Sequence, residues 1–205
     1  MHTITTTTGA RHPRGVALLS IVAACAIFII PELTQSLEYT RTSIGNGEIW
    51  RIFTCHWTHW TAEHLFWDLA AFVLLLVACL RINVRKTLLT LATAIVAIPS
   101  GIWLLFPQMT HYRGLSGIDT ALFSFFIIQT LKSLRLNSSR LELILMYSLT
   151  AGFILKLSYE LFTGHTVFVG NMGRNVIAVP LAHVIGAAAG CLPWILCRTA
   201  DSNSA

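Results

Sequence analysis

The chain has 205 residues and a formal net charge of +5; hydrophobic residues make up 55% of it and charged residues 11%. Soluble domains carry roughly 25% charged residues. This charge content, with a mean hydropathy of +0.68, excludes an ordinary water-soluble fold, because too few charges are present to cover a solvated surface. The composition predicts an all-α polytopic membrane protein that resides in a lipid bilayer. We interpret the basic excess as a topology signal and expect no nucleic-acid partner.

Six apolar runs follow one another along the chain, each close to the ~20 residues that a membrane-spanning helix needs. Their bounds are Gly15–Leu33, Glu63–Leu80, Thr87–Phe106, Ser116–Leu131, Leu141–Leu161 and Val179–Cys197. The sequence therefore predicts six transmembrane helices in one domain, residues 15–198. A short segment, 1–14, precedes this domain and a short tail, 199–205, follows it.

Basic residues indicate the orientation, because Lys and Arg in short loops stay on the cytoplasmic side. If all six runs span, nine of the 14 Lys and Arg residues lie on one side, and the other five lie opposite together with five glutamates. The side with nine is predicted to be cytoplasmic, and it holds both termini. The first run has its small residues inside the apolar stretch and not after it, so we expect a spanning helix and not a cleaved signal peptide.

The fourth run opens with the sequence Gly114-Leu115-Ser116-Gly117. A serine hydroxyl is a weak nucleophile until a neighbouring base takes its proton. Glycines allow close backbone approach, and the N–H groups at a helix start can stabilise an oxyanion. The pattern predicts a catalytic Ser116, although taken alone it also fits a turn that enters a helix.

The sixth run carries His183 on one helix face with Gly186 and Gly190. The G-x-x-x-G spacing permits close helix packing in lipid, and an ionisable side chain at membrane depth is costly unless it has a function. In the predicted topology Ser116 and His183 both lie near the outer ends of their helices. We therefore interpret them as a Ser-His dyad in which His183 is the base.

Together the two motifs resemble the rhomboid family of intramembrane serine proteases, whose core helices carry G-x-S-G and A-H-x-x-G-x-x-x-G. The segment Glu48–Thr54 resembles the first outer loop of the family, and His64 with residue 68 matches its His-x-x-x-Asn pair. The resemblance implies a rhomboid-like six-helix bundle and a serine endopeptidase without a cofactor. It implies cleavage of a membrane-spanning segment of client proteins near the outer face, in the inner (cytoplasmic) membrane of a bacterium.

The resemblance also assigns the oxyanion site to His64, residue 68 and the Ser116 amide, with Gly114 beside them. This chain has Asp68 where the family has asparagine. An ionised carboxylate only accepts hydrogen bonds and repels an oxyanion. Asp68 therefore acts either as a neutral donor or by orienting His64 one turn away, and we favour the second role. We expect water to enter through a polar opening lined by His59, His64 and Asp68.

Supporting roles are expected for neighbours of the dyad on the same helices. We expect Asp119 to hydrogen-bond a neighbouring helix or to tune the site, and Thr120 to help place His183. A zinc site at His56, His59 and His64 is not expected, because the H-E-x-x-H pair is absent and the tryptophans among these histidines are typical interfacial anchors. The complete supporting set is His59, Gly117, Asp119, Thr120, Gly186 and Gly190.

Within the rhomboids, the short loops and the sequences around Ser116 and His183 are most similar to the rhombosortase branch. That similarity implies clients with a C-terminal Gly-Gly signal, an apolar helix and a basic tail. Two alternatives stay open. A non-proteolytic rhomboid-like protein would bind membrane clients without cutting them, which Asp68 favours; a small transporter would tolerate buried His and Asp, although no paired broken helices or inverted repeat is visible.

Overall fold

The computed structural model describes residues 12–134, 138–167 and 180–202, without the side chains of 12–14 and 195–202. The described chain is all-α apart from one two-residue strand pair. Val179, most of the segment 1–14 and the last three residues of the predicted tail lie outside the described residues. In chain order the elements are α1 (His12–Ile29), α2 (Pro31–Leu37), β1 (Tyr39–Thr40), α3 (Arg41–Gly45), α4 (Arg51–Thr54), a 3-10 turn (Cys55–Trp57), α5 (Ala62–Ile82), α6 (Val84–Leu105), β2 (His111–Tyr112), α7 (Ser116–Leu134), α8 (Arg140–Thr163) and α9 (Pro180–Ser202).

Three helices, α5, α6 and α8, are long and apolar enough to cross a membrane, and the bent pair α1–α2 makes a fourth candidate within the described ranges. The predicted count of six is therefore not confirmed by length and composition. Helix α7 contacts α5, α6, α8 and α9, and its residues include Asp119, Gln129 and Lys132. Of these three, Asp119 is buried against neighbouring helices, and a polar residue buried in this way does not meet lipid.

The first predicted run does not form one straight helix, because the chain bends by 108° between α1 and α2. Pro31 lacks a backbone N–H, and its ring disfavours the helical conformation in the preceding residue. Ile30 is accordingly extended, with φ −105° and ψ 100°. The expected straight span over 15–33 is thus corrected to a helix followed by a short, sharply angled one.

Arginine side chains hold the connection between α2 and α5 against the helix ends. Strand β1 in this connection pairs antiparallel with β2. Arg51 donates to the carbonyl oxygens of Gln35 and Glu38 at the end of α2, at 2.7 and 2.9 Å. These charge-assisted bonds satisfy carbonyls that helix ends leave unpaired. Arg41 binds the end of α6, where it donates to the carbonyl oxygens of Ile102, Trp103 and Phe106.

Candidate active site

Two glycines on α9 bring that helix against the backbone of α7. A Cβ atom added to Gly186 would overlap the carbonyl oxygen of Gly117, and one added to Gly190 would overlap the carbonyl oxygen of Ala121. Both neighbours are backbone atoms, so no side-chain rotation could make room. The close approach that the G-x-x-x-G spacing predicts is therefore present in the fold.

This helix contact extends to the residues of the predicted dyad. The Cβ position of Gly117 is 3.1 Å from the carbonyl oxygen of Ala182, and these residues are the chain neighbours of Ser116 and His183. The two side chains thus belong to the same level of the α7–α9 contact, at the start of each helix. Among the described residues no hydrogen bond joins the Ser116 hydroxyl to His183, and in unliganded active sites such bonds are often long.

Asp68, on the second turn of α5, has four nitrogen atoms around one carboxylate oxygen. Its Oδ2 accepts hydrogen bonds from the N–H groups of Leu115 at 2.7 Å and Ser116 at 3.2 Å. The Nε2 atoms of His64 and His59 lie 3.2 and 3.3 Å from the same oxygen, and Asp68 itself is only 4% exposed. Asp68 thus contacts both neighbouring histidines, and at rest it engages the Ser116 N–H that the sequence interpretation assigned to the oxyanion.

Both the backbone conformation and the close neighbours at position 114 require glycine. Its φ of +119° is one that side-chain-bearing residues rarely adopt. A Cβ atom there would also lie 2.7 Å from His64 Nε2 and 3.0 Å from Asp68 Oδ2. The glycine before the serine therefore allows the backbone to pass beside the His64–Asp68 pair.

Glu160 is the residue at this site that sequence reasoning did not single out. Its Oε2 lies 2.7 Å from His183 Nδ1 and accepts a hydrogen bond from Lys156 Nζ at 2.8 Å. Its Oε1 accepts a hydrogen bond from the N–H of Val167 at 3.1 Å. In the predicted topology Glu160 and Lys156 are simply two charges on the outer side. A usable signal was present, because an i,i+4 charge pair near the end of an apolar run is costly in a membrane unless it is paired or functional.

The structure gives the surroundings of two expected supporting residues, Thr120 and Asp119. The Thr120 hydroxyl donates to the carbonyl oxygen of Ser116 at 2.7 Å, within its own helix, and not to His183. Asp119 is buried, and its Oδ1 has no hydrogen-bond partner among the described residues. The described part of the chain therefore holds no hydrogen bond from this oxygen to a neighbouring helix.

His56, in the 3-10 turn, links the connection between α2 and α5 to α6. Its Nε2 lies 3.1 Å from the carbonyl oxygen of Ile95, and the residue is fully buried. Burial lowers the pKa of His56 from 6.5 to about 4, because a charged ring would lose its hydration. The neutral ring then donates Nε2–H to the carbonyl. Across the described ranges, no three His, Cys, Asp or Glu side chains are grouped so that they could hold a metal ion.

A cavity of about 200 Å³ reaches His59 from the bend between α1 and α2. The predicted polar opening shares His59 with this cavity, whereas His64 and Asp68 do not line it. Arg113 forms part of the wall, with its guanidinium 4.0 Å from the centre of the Trp60 ring. The lining residues are Phe28, Pro31, Thr34, Gln35, His59, Trp60 and Arg113.

A family model described as the Rhomboid domain matches residues 46–199. The matched range includes the G-x-S-G motif, the His183 helix face and the Asp68 cluster. No curated protein matches the chain at a significant level.

Proposed function

The chain belongs to the rhomboid family of intramembrane serine proteases, and we propose that it cleaves client proteins with Ser116 as nucleophile and His183 as base. The observation that carries this proposal is the backbone contact of Gly117 with Ala182 and Gly186. It supports a working pair because it sets the first turns of α7 and α9 side by side. Rhomboids act on membrane proteins within the bilayer, so the substrate class is a membrane-anchored protein.

In the proposed reaction, Ser116 Oγ attacks the carbonyl carbon of the scissile peptide while His183 Nε2 takes the hydroxyl proton. His183 then gives that proton to the leaving amine, and the same residue activates the water that hydrolyses the acyl-enzyme. The Ser116 N–H and His64 stabilise the oxyanion. Because the Ser116 N–H donates to Asp68 at rest, the oxyanion replaces that contact as it forms.

For Asp68 we propose the orienting role. Support comes from Oδ2, which accepts the Leu115 and Ser116 N–H groups and lies within 3.3 Å of His59 and His64. An oxygen that accepts two backbone N–H groups suits an ionised carboxylate. In this role Asp68 fixes both the loop before Ser116 and the imidazole of His64.

We propose a six-helix bundle in a bacterial inner membrane with both termini cytoplasmic. The excess of basic residues in one set of loops then puts the starts of α5, α7 and α9 at the outer face, where cleavage takes place. The scissile stretch must leave its helix, because helical carbonyls are already bonded and lipid offers them no other partner. Clients with a C-terminal Gly-Gly signal meet this need, since glycine destabilises helix.

The first test uses the purified protein in detergent, a serine-directed fluorophosphonate, and a client with a Gly-Gly signal, an apolar helix and a basic tail. Ser116→Ala and His183→Ala should each reduce cleavage by at least about 1,000-fold without lowering the unfolding temperature. Ser133→Ala and His165→Ala, at exposed or outlying positions, serve as matched controls. Near-normal turnover in either dyad variant would refute the proposal.

The same experiment separates the alternative function. A non-proteolytic rhomboid-like protein would neither label nor cleave, yet it would retain the client during purification. Mass spectrometry of the products gives the cleaved bond, and a cut at the cytoplasmic end of the client helix contradicts the proposed orientation.

A further inference from the structure

We propose that Glu160 is a positioning residue that converts the dyad into a Ser116–His183–Glu160 triad. The inference rests on the proposed function, since it assigns His183 as the base. It starts from the 2.7 Å distance between Glu160 Oε2 and His183 Nδ1, across two different helices. The dyad motifs themselves contain no such third group.

The contact selects one tautomer of the histidine. A carboxylate paired with the Lys156 ammonium has no hydrogen to donate, so the hydrogen in the bond to His183 must be carried by Nδ1. A neutral imidazole with Nδ1–H has an unprotonated Nε2. Nε2 is then free to take the proton of Ser116 Oγ, and no proton moves to Glu160.

The packing of α8 argues against a merely structural role for this side chain. Glu160 is the one buried residue of α8, with 1% exposure, whereas apolar side chains along the helix, such as Leu155 and Phe162, are exposed. Burying a carboxylate costs several kcal/mol before its partners compensate. If α8 only had to pack against α9, an apolar side chain at this position would do so at less cost.

The surroundings of Glu160 hold it in place for this task. Lys156 Nζ and the N–H of Val167 occupy one site on each carboxylate oxygen, so the carboxylate is fixed in orientation and its charge is balanced at rest. When His183 takes a proton from Ser116, the new imidazolium lies against an anion already in position. Preorganised charge of this kind stabilises a transition state without rearrangement.

The test compares Glu160→Gln with Glu142→Gln, a control on the same helix. Glu142 belongs to the capping box at the start of α8, where glutamine serves as well. A glutamine at position 160 can offer its NH2 group to Nδ1 and so favour the wrong tautomer. We expect kcat to fall by about 100-fold to 10,000-fold with KM little changed. Fluorophosphonate labelling should slow in parallel, because that reaction needs no client.

A spectroscopic readout makes the test independent of activity. In 15N-histidine NMR spectra, with the His183→Asn variant used to assign the signal, wild-type His183 should carry its hydrogen on Nδ1, and Glu160→Gln should move it to Nε2. A wild-type His183 protonated on Nε2, or a Glu160→Gln variant that labels at the wild-type rate, overturns the proposal. If Glu160→Gln lowers the unfolding temperature, the wild-type spectrum still decides. Failure of the proposed function looks different, because wild type itself then does not label.

Discussion

Replacing Gly186 by alanine tests whether close backbone contact between α7 and α9 holds the dyad together. The added methyl group would overlap the carbonyl oxygen of Gly117 and lie 3.0 Å from its carbonyl carbon and 3.4 Å from its Cα. All three atoms belong to backbone, and Gly186 is itself helical. Only a shift of one helix against the other can relieve the overlap.

The size of the effect follows from two opposing contributions. Overpacking a tight contact costs about 1–3 kcal/mol and occasionally more. Because the added methyl group would meet backbone atoms, which cannot rotate away, we expect a cost in the upper part of that range or beyond. The better helix propensity of alanine returns up to about 1 kcal/mol. We expect a net loss of about 2 kcal/mol in the free energy of unfolding, or about 4–8 °C in unfolding temperature for a chain of this length.

Activity should fall more steeply than stability. Gly186 lies one turn from His183, so a helix shift of about 1 Å displaces the base from Ser116, and a misplacement of that size can cost about 100-fold in rate. Unfolding temperature in detergent and the rate of fluorophosphonate labelling measure the two effects. The valine variant should show both more strongly.

Gly152→Ala is the matched control, because a Cβ atom at that helical glycine of α8 meets nothing within 4 Å. It should leave the unfolding temperature unchanged or slightly raised, and labelling unchanged. If Gly186→Ala behaves like Gly152→Ala, the tight contact of α7 with α9 does not position Ser116 and His183.

Two further predictions concern the histidine and carboxylate groups around the site. Asp68→Asn should keep part of the activity, because an amide oxygen still accepts hydrogen bonds from the Leu115 and Ser116 N–H groups. Asp68→Ala should lower the turnover by about tenfold to 100-fold, the value of one or two such bonds to a charged acceptor. An alanine variant with wild-type turnover would remove Asp68 from the mechanism. His56 binds a proton less readily in the folded protein than in the unfolded chain, so its contribution to stability is present above pH 6.5 and is lost as pH falls toward about 4. The loss in the free energy of unfolding reaches about 3 kcal/mol and is followed by measuring the unfolding temperature against pH. The His56→Gln variant should show a weaker dependence on pH. An equally steep curve in the variant would show that His56 is not the group responsible.

The sequence by itself was sufficient to predict the all-α membrane class and the approximate positions of the long helices among the described residues, and it contains the two motifs from which the dyad is proposed. Each of these is a local property. Apolar runs, a serine between glycines and a histidine in register with Gly186 and Gly190 are all read within about ten to twenty neighbouring residues. The family match over residues 46–199 agrees with the resemblance those motifs carry.

The number of spanning helices was harder to predict, because hydropathy measures how apolar a helix is and not whether lipid or other helices surround it. Helix α7 packs against other helices, and its polar residues Asp119, Thr120 and Ser124 are buried there. The bend of 108° between α1 and α2 was not predicted, although Pro31 lies at that point in the sequence.

Only the tertiary structure decided which side chains meet at the site. Glu160 and His183 are 23 residues apart on different helices, and Asp68 is 47 residues from Leu115. Sequence spacing constrains neighbours within one helix, whereas contacts between helices depend on their packing. Because Gly117 and Gly186 are glycines without side chains, the backbones of α7 and α9 come into contact. This close packing determines which groups surround Ser116.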